Sequence, residues 1–149
     1  MRALLQRVSR AAVRVDGEEI ARIGPGLLIL LGAAAADPPD AELWLADRCA
    51  GLRIFADEAG KMNRSVREIA GEALVVSQFT LYADVTRGRR PGFEPAAAPD
   101  RAERAYERFC DALAGAGVPT RRGRFGAKME VELTNDGPAT FLLETPAAR

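Results

Sequence analysis

The sequence predicts a compact α/β domain, a mixed and largely antiparallel β-sheet with two main helices packed outside it. Three observations point there. Short apolar or alternating runs follow one another through tight-turn signals in the first part of the chain. Two stretches carry helix-start signals followed by helical sequence. No linker-like stretch and no repeat divides residues 1–149, which are therefore expected to form a single domain, long enough to bury a proper core.

Residues 2–8 and 11–15 read as strands, followed by Asp16-Gly17, a pair suited to a two-residue hairpin. "EIARI" and the Gly24-Pro25-Gly26 turn lead into "LLILLG", apolar at every position and so expected as a central strand covered on both faces. Asp37 before Pro38-Pro39 offers an N-cap with prolines in the first turn. That helix should run to about Gly51, burying Leu43, Ala46, Ala50 and one side of Trp44. "LRIF" resumes strand, and 72–83, "EALVVSQFTLYA", is the longest strand candidate. The segment 84–99, rich in Gly, Pro and Arg, has no period and reads as an ordered surface loop. Pro99-Asp100 opens the second helix, with Asp100 and Glu103 matching a capping box. Ala102, Ala105, Tyr106, Phe109, Cys110 and Leu113 form its apolar stripe, and Gly115 and Gly117 end it. "KMEVEL" and "FLLE" read as two further strands joined by "TNDGPAT".

Composition narrows the chemistry. Lys+Arg and Asp+Glu both total 21, so no global field favours nucleic acid or an anionic membrane. The start has no signal-peptide pattern, and "GLLILLGAAAA" is too short to span a bilayer. Cys49 and Cys110 lie far apart with no C-x-x-C spacing, the pattern of reduced core thiols in a cytoplasmic protein. Histidine is absent, which removes Ser-His-Asp and Cys-His nucleophile activation and nearly all catalytic zinc sites. No phosphate-binding glycine loop and no clustered carboxylates for a cation are found, and no cofactor or metal is implied.

Three polar interruptions remain. Ser77-Gln78-Phe79-Thr80 breaks an apolar strand; because side chains alternate, at least one polar group should point inward, unless the strand is simply leaving the core. Arg87, Arg89 and Arg90, with Arg121, Arg122, Arg124 and Lys128, form either solvated basic patches or a phosphate-binding rim. "TNDGPAT" looks like a hairpin turn, with a proline that removes a donor where a strand should begin. Base rates favour a trans Gly137-Pro138 bond.

Together these pieces resemble the D-aminoacyl-tRNA deacylases. The resemblance spans "MRALLQRVSRAAVRVDGE", "IGPGLLILLG", "LRIFADEAGKMNRSV", "LVVSQFTLYAD", "RGRRPGF" and "RFGAKMEVELTNDGPAT" with "FLLE". Ser-Gln-Phe-Thr and Asn-x-Gly-Pro-x-Thr both occur, in order. Ala139 stands where the family usually has Val, and Ala12 and Gly92 where Ser is common. The resemblance implies β/β/α layers and a homodimer with active sites at its interface. It implies hydrolysis of D-aminoacyl-tRNA and mischarged glycyl-tRNA. Ser77, Gln78, Phe79 and Thr80 would be the catalytic group, backbone N–H groups near Phe79 and Thr80 forming an oxyanion hole, Gln78 positioning the ester, and Thr80 positioning rather than attacking. A cis Gly137-Pro138 unit would reject L-residues by backbone collision in the partner's pocket. Phe125, Met129, Asn135, Ala139 and Thr140 would contact substrate, and Arg87, Arg89 and Arg90 the tRNA. The competing expectation is a non-catalytic RNA-binding module built on the arginines.

Overall fold

The structure, a computed structural model, describes residues 1–147; the last two positions of the expected 1–149 domain lie outside the described residues. In chain order the elements are β1 (Arg2–Val15), β2 (Glu18–Ile23), β3 (Gly26–Gly32), α1 (Ala41–Gly51), β4 (Phe55–Ala56), β5 (Met62–Arg64), β6 (Glu72–Ser77), a 3₁₀ turn (Phe79–Tyr82), α2 (Pro99–Gly115), β7 (Thr120–Arg122) and β8 (Glu130–Glu144).

The two short strands expected at the start are one. β1 runs unbroken for 14 residues because it has partners along its whole length. Its first half pairs antiparallel with β3 (Arg2 opposite Gly32 through Val8 opposite Gly26) and its second half with β2 (Ala11 opposite Ile23 through Val15 opposite Glu18). Its other edge is taken from Arg2 to Arg14 by β8, with Arg7 and Ser9 skipped. Asp16 and Gly17 both take positive φ, 51° and 79°, as a tight hairpin between twisted strands requires. β6 pairs parallel with β3, and β7 parallel with β6. β4 and β5 make a separate small hairpin.

The side-chain period of two sorts this sheet into layers. Ala3, Leu5, Leu27, Ile29, Leu31, Ala73 and Val75 face α1 and α2 and bury with Leu45, Phe109 and Leu113. Leu28, Leu74 and Val76, the alternate positions of β3 and β6, pack on the other side against Val8, Ala11, Val13 and Ile23. β1 therefore serves both layers. Its phase changes at Ser9, which faces no residue of β8. β3 is covered on both faces, as its unbroken apolar run predicts. The architecture is helices on sheet on sheet.

Four local expectations are corrected. Helix α1 begins at Ala41 after Asp40, not after Asp37. Asp37 instead accepts from the Ala34 amide (2.7 Å) and pairs with the Met1 ammonium. Leu43 lies outside the core, 41% exposed, and the buried helical face carries Ala41, Leu45, Ala46, Cys49 and Ala50. Helix α2 has its expected span and stripe, but Ala98 precedes it and no side chain caps it, so Asp100 and Glu103 form no capping box. β6 stops at Ser77, well short of residue 83, because the chain turns into the 3₁₀ segment; the longest strand is β8.

Candidate active site

The end of β6 shapes one wall of the site. The Gln78 amide still donates to Leu31 O (2.8 Å), the last ladder bond beside β3. The chain then coils, with Leu81 N–H donating to Gln78 O (3.3 Å) and Ala83 N–H to Thr80 O (3.1 Å). Gly32 lets the coil lie close: a Cβ there would sit 3.0 Å from Gln78 O and 3.2 Å from Leu81 Cβ. A helical start leaves its first amides without intrahelical partners. Among the described residues the Phe79 and Thr80 N–H groups make no protein hydrogen bond. The Gln78 side-chain amide donates to Thr80 Oγ1 (2.5 Å).

The start of this turn borders a cavity of about 560 Å³. Ser77, Gln78, Phe79, Phe93, Tyr106, Phe125 and Met129 are among its lining residues. Phe79 is 54% exposed and meets Phe93 edge to face at 4.9 Å. Tyr106 OH donates to Val75 O (2.7 Å), tying α2 to the strand that delivers Ser77. Burial pushes the Tyr106 phenol well above its ordinary range. Met129 packs tightly because Gly123 has no side chain: a Cβ would stand 2.8 Å from its sulfur. Among the described residues no charged side chain lines the cavity. It is an apolar slot edged by hydroxyl, amide and backbone donors.

The other signature lies elsewhere on the same chain. "TNDGPAT" is not a hairpin turn, because both sides of it pair with β1 in the same direction. Asn135 faces Val8 and Thr140 faces Gln6, so residues 136–139 bulge out opposite Arg7 alone. Asn135 makes this possible. Its Nδ2 donates to Arg7 O (3.0 Å) and Ala139 O (2.9 Å), and its Oδ1 accepts from the Ala139 amide (3.1 Å). One side-chain amide thus replaces the ladder bonds that the bulge interrupts. Arg7 closes the base, with Nε donating to Asp136 O (2.7 Å) and Nη1 to Ile54 O (2.6 Å). Gly137 has no alternative, since a Cβ would fall 2.0 Å from Ala139 N. The Gly137-Pro138 bond is cis, against the base rate and with the resemblance. Both residues are exposed, while Ala139 is buried and Thr140 Oγ1 accepts from Gln6 (3.2 Å).

Within one chain, then, Ser77, Gln78, Phe79, Phe125 and Met129 come together, with Thr80 bonded to Gln78. Asn135, Gly137, Pro138, Ala139 and Thr140 form a separate group outside that cavity. Arg87, Arg89 and Arg90 are exposed on a loop pinned at its base by reciprocal Asp84 and Gly92 backbone bonds (2.8 Å each). Arg122 is hydrogen-bonded to Asp111 (2.6 Å), and Arg121 lies 3.9 Å from Glu72. Sequence reasoning missed Arg7, Gly32 and Tyr106. Only Tyr106 carried a signal, its place on the apolar stripe of α2.

The sequence profile of the family described as D-Tyr-tRNA(Tyr) deacylase matches residues 4–144. A D-aminoacyl-tRNA deacylase of Cereibacter sphaeroides is 59% identical over 145 residues, covering 97% of this chain and all of the relative. One of Symbiobacterium thermophilum is 54% identical, covering 97% of this chain and 96% of the relative. Among solved structures, a c-Myc DNA Unwinding Element Binding Protein superposes with a TM-score of 0.92 at 40% identity, over 99% of this chain and all of that one. A structure of "a probable eukaryotic D-amino acid tRNA deacylase" shares the fold, with a TM-score of 0.79 at 21% identity over 95% of this chain and 97% of that one.

Proposed function

The chain belongs to the D-Tyr-tRNA(Tyr) deacylase family, and we propose that it hydrolyses the ester of D-aminoacyl-tRNA, giving free tRNA and the D-amino acid. The observation that carries the reading is the pair of Phe79 and Thr80 N–H groups, without protein partners among the described residues, on the turn whose start lines a cavity with no charged side chain among those residues. Water adds to the ester carbonyl, and the oxygen that gains charge in the tetrahedral intermediate is held by those two donors. The C–O bond to the ribose then breaks, and the ribose oxygen leaves as a hydroxyl after taking up a proton. The neighbouring ribose hydroxyl of the terminal adenosine is close enough in the substrate itself to orient the water. Gln78 holds Thr80 and the ester end of the substrate. Thr80 positions rather than attacks, because the sequence has no histidine to remove its proton and an aminoacyl ester is already activated.

Handedness is read by exclusion. The exposed Gly137-Pro138 unit, rigidly braced by Asn135 and Arg7, enters the cavity of a second subunit and sets backbone against the α-carbon. An L side chain would collide with it, while a D-residue or glycine would not, so mischarged glycyl-tRNA is also a substrate. Asn135, Ala139 and Thr140 support this unit, Phe125 and Met129 bound the adenosine end, and Arg87, Arg89 and Arg90 meet tRNA phosphates. The site is thus completed by a homodimer, working in the cytoplasm where aminoacyl-tRNA is used.

Matched D-Tyr-, L-Tyr- and Gly-tRNA test this. The wild type should deacylate the first and third and spare the second, and Gln78→Ala should lose most of the rate. Purified protein that leaves D-Tyr-tRNA intact at micromolar concentration sinks the reading. RNA binding with a steep salt dependence and no deacylation would replace it with a binding module.

A further inference from the structure

We propose that Arg2 is a positioning residue for this reaction, clamping the 3₁₀ turn that presents the Phe79 and Thr80 amides; the proposal rests on the functional reading above. Arg2 lies on the first residue of β1, and its guanidinium reaches three things at once. Nε donates to Glu144 Oε1 (2.5 Å), on its cross-strand partner in β8. Nη1 donates to Leu81 O (2.7 Å). Cζ stands 4.5 Å from the centre of the Tyr82 ring.

Leu81 and Tyr82 are the last two residues of the turn that begins at Phe79. A single 3₁₀ turn is held poorly by its own hydrogen bonds, and a carbonyl at its end lacks an intrahelical partner. Arg2 supplies that partner for Leu81 and a cationic face for Tyr82. The turn also lies close on Gly32, the residue opposite Arg2 across β1 and β3, where a Cβ would stand 3.2 Å from Leu81 Cβ and 3.3 Å from Tyr82 Cδ2. It is therefore held by its close seat on β3 and by the guanidinium, and Glu144 fixes where the guanidinium sits. An oxyanion site works only when its donors are held in advance at the right place. Releasing the far end of a four-residue turn releases its near end as well, which is where the two donors lie. Arginine suits the task and lysine does so only partly, because one planar group must stack and donate in two directions.

The test is single-turnover and steady-state deacylation of D-Tyr-tRNA, with amide hydrogen exchange followed by peptide. Arg2→Met should lower kcat about tenfold, roughly the loss expected for misplacing a donor rather than deleting it. KM should stay within about twofold, and exchange should rise in peptides covering 79–83 and not across the sheet. Arg2→Lys should recover part of kcat. Arg14→Met, which removes another ion-paired arginine of β1 (Glu132, 2.6 Å), should leave kcat unchanged. Tyr82→Leu keeps Arg2 but removes its stacking face and should reproduce the local exchange with a smaller fall in kcat, which keeps the test open if Arg2→Met folds poorly. Wild-type kcat in Arg2→Met, or a loss that Arg14→Met shares, overturns the proposal. Unchanged exchange at 79–83 also overturns it, even if the wild type proves inactive. Inactivity of the wild type on D-Tyr-tRNA sinks the functional reading instead.

Discussion

Asn135 shows how much one side chain can carry. Two donors and one acceptor of its amide hold Arg7 O, Ala139 O and Ala139 N–H, so the group is spent on its own backbone. Asn135→Ala should leave three backbone groups at the neck of the bulge without protein partners. With the neck half-buried, we expect a loss of about 2 kcal/mol in urea unfolding, within the range for unsatisfied buried polar groups. Deacylation should fall further than stability does, because the Gly137-Pro138 unit loses its fixed attitude. A variant as active as the wild type would show that the brace is idle. The family resemblance implies a substrate contact for Asn135. Its hydrogen-bond partners within the chain sit at Arg7, 128 residues away, and at Ala139. Their need for a bond exists only because a bulge interrupts the ladder, and no local rule announces that bulge.

At the scale of elements, the outcome follows from which signal is local. The stripe of α2 is intrinsic to its own turn period, and the helix has its expected span. The Asp16-Gly17 hairpin is likewise set by two residues. Strand lengths are set by partners. β1 is one strand because β8 borders it from Arg2 to Arg14, and β8 is one strand, not a hairpin, because β1 continues past the bulge. The Ser-Gln-Phe-Thr run correctly marked a departure from the apolar pattern, but not that the chain would coil there. Gly26 is the element-scale counterpart of Gly137. At the start of the parallel β3–β6 ladder, a Cβ would fall 1.8 Å from Glu72 O. Gly26→Ala should force these strands apart, at a loss of at least about 3 kcal/mol, the upper end for overpacked sites. Thermal unfolding measures it, and a midpoint equal to the wild type's would contradict the contact.

At the scale of the molecule, the two signatures lie apart on one chain, and the functional reading has them meet between two. Mixed subunits decide this. Gln78→Ala and Pro138→Ala proteins, unfolded together and refolded, should regain about a quarter of wild-type activity. In a two-fold dimer half the molecules are mixed, and each mixed molecule then has one site free of both changes. No recovery would mean that each chain builds its own site. Neither composition nor strand pattern indicated this arrangement; it came from the family resemblance. The buried thiols give a second molecule-wide expectation. Burial raises Cys49 to about 12 and Cys110 to about 11, from an ordinary 9.0. Below the ordinary value both states keep their protons and the contribution is complete. As pH rises from there toward 11 and 12 the unfolded chain ionises first and binds fewer protons, so stability declines. The urea midpoint should stay flat on this account up to about pH 8 and fall as pH passes the ordinary thiol value. In the native state at pH 8, iodoacetamide should label neither thiol.

The pairing of β1 with β8 also orders events during synthesis. Arg2 lies opposite Glu144, so the first strand made waits for the last before its second edge is covered. A ribosome that stops early releases a chain with the Ser77–Thr80 turn but no Gly137-Pro138 unit, and with a long open edge on β1. Such an edge recruits other strands, the usual route to aggregation and removal. Under the proposed reading, a truncated product is not left as a hydrolase without its handedness check. The long-range closure that slows folding also makes the fold and the filter arrive together.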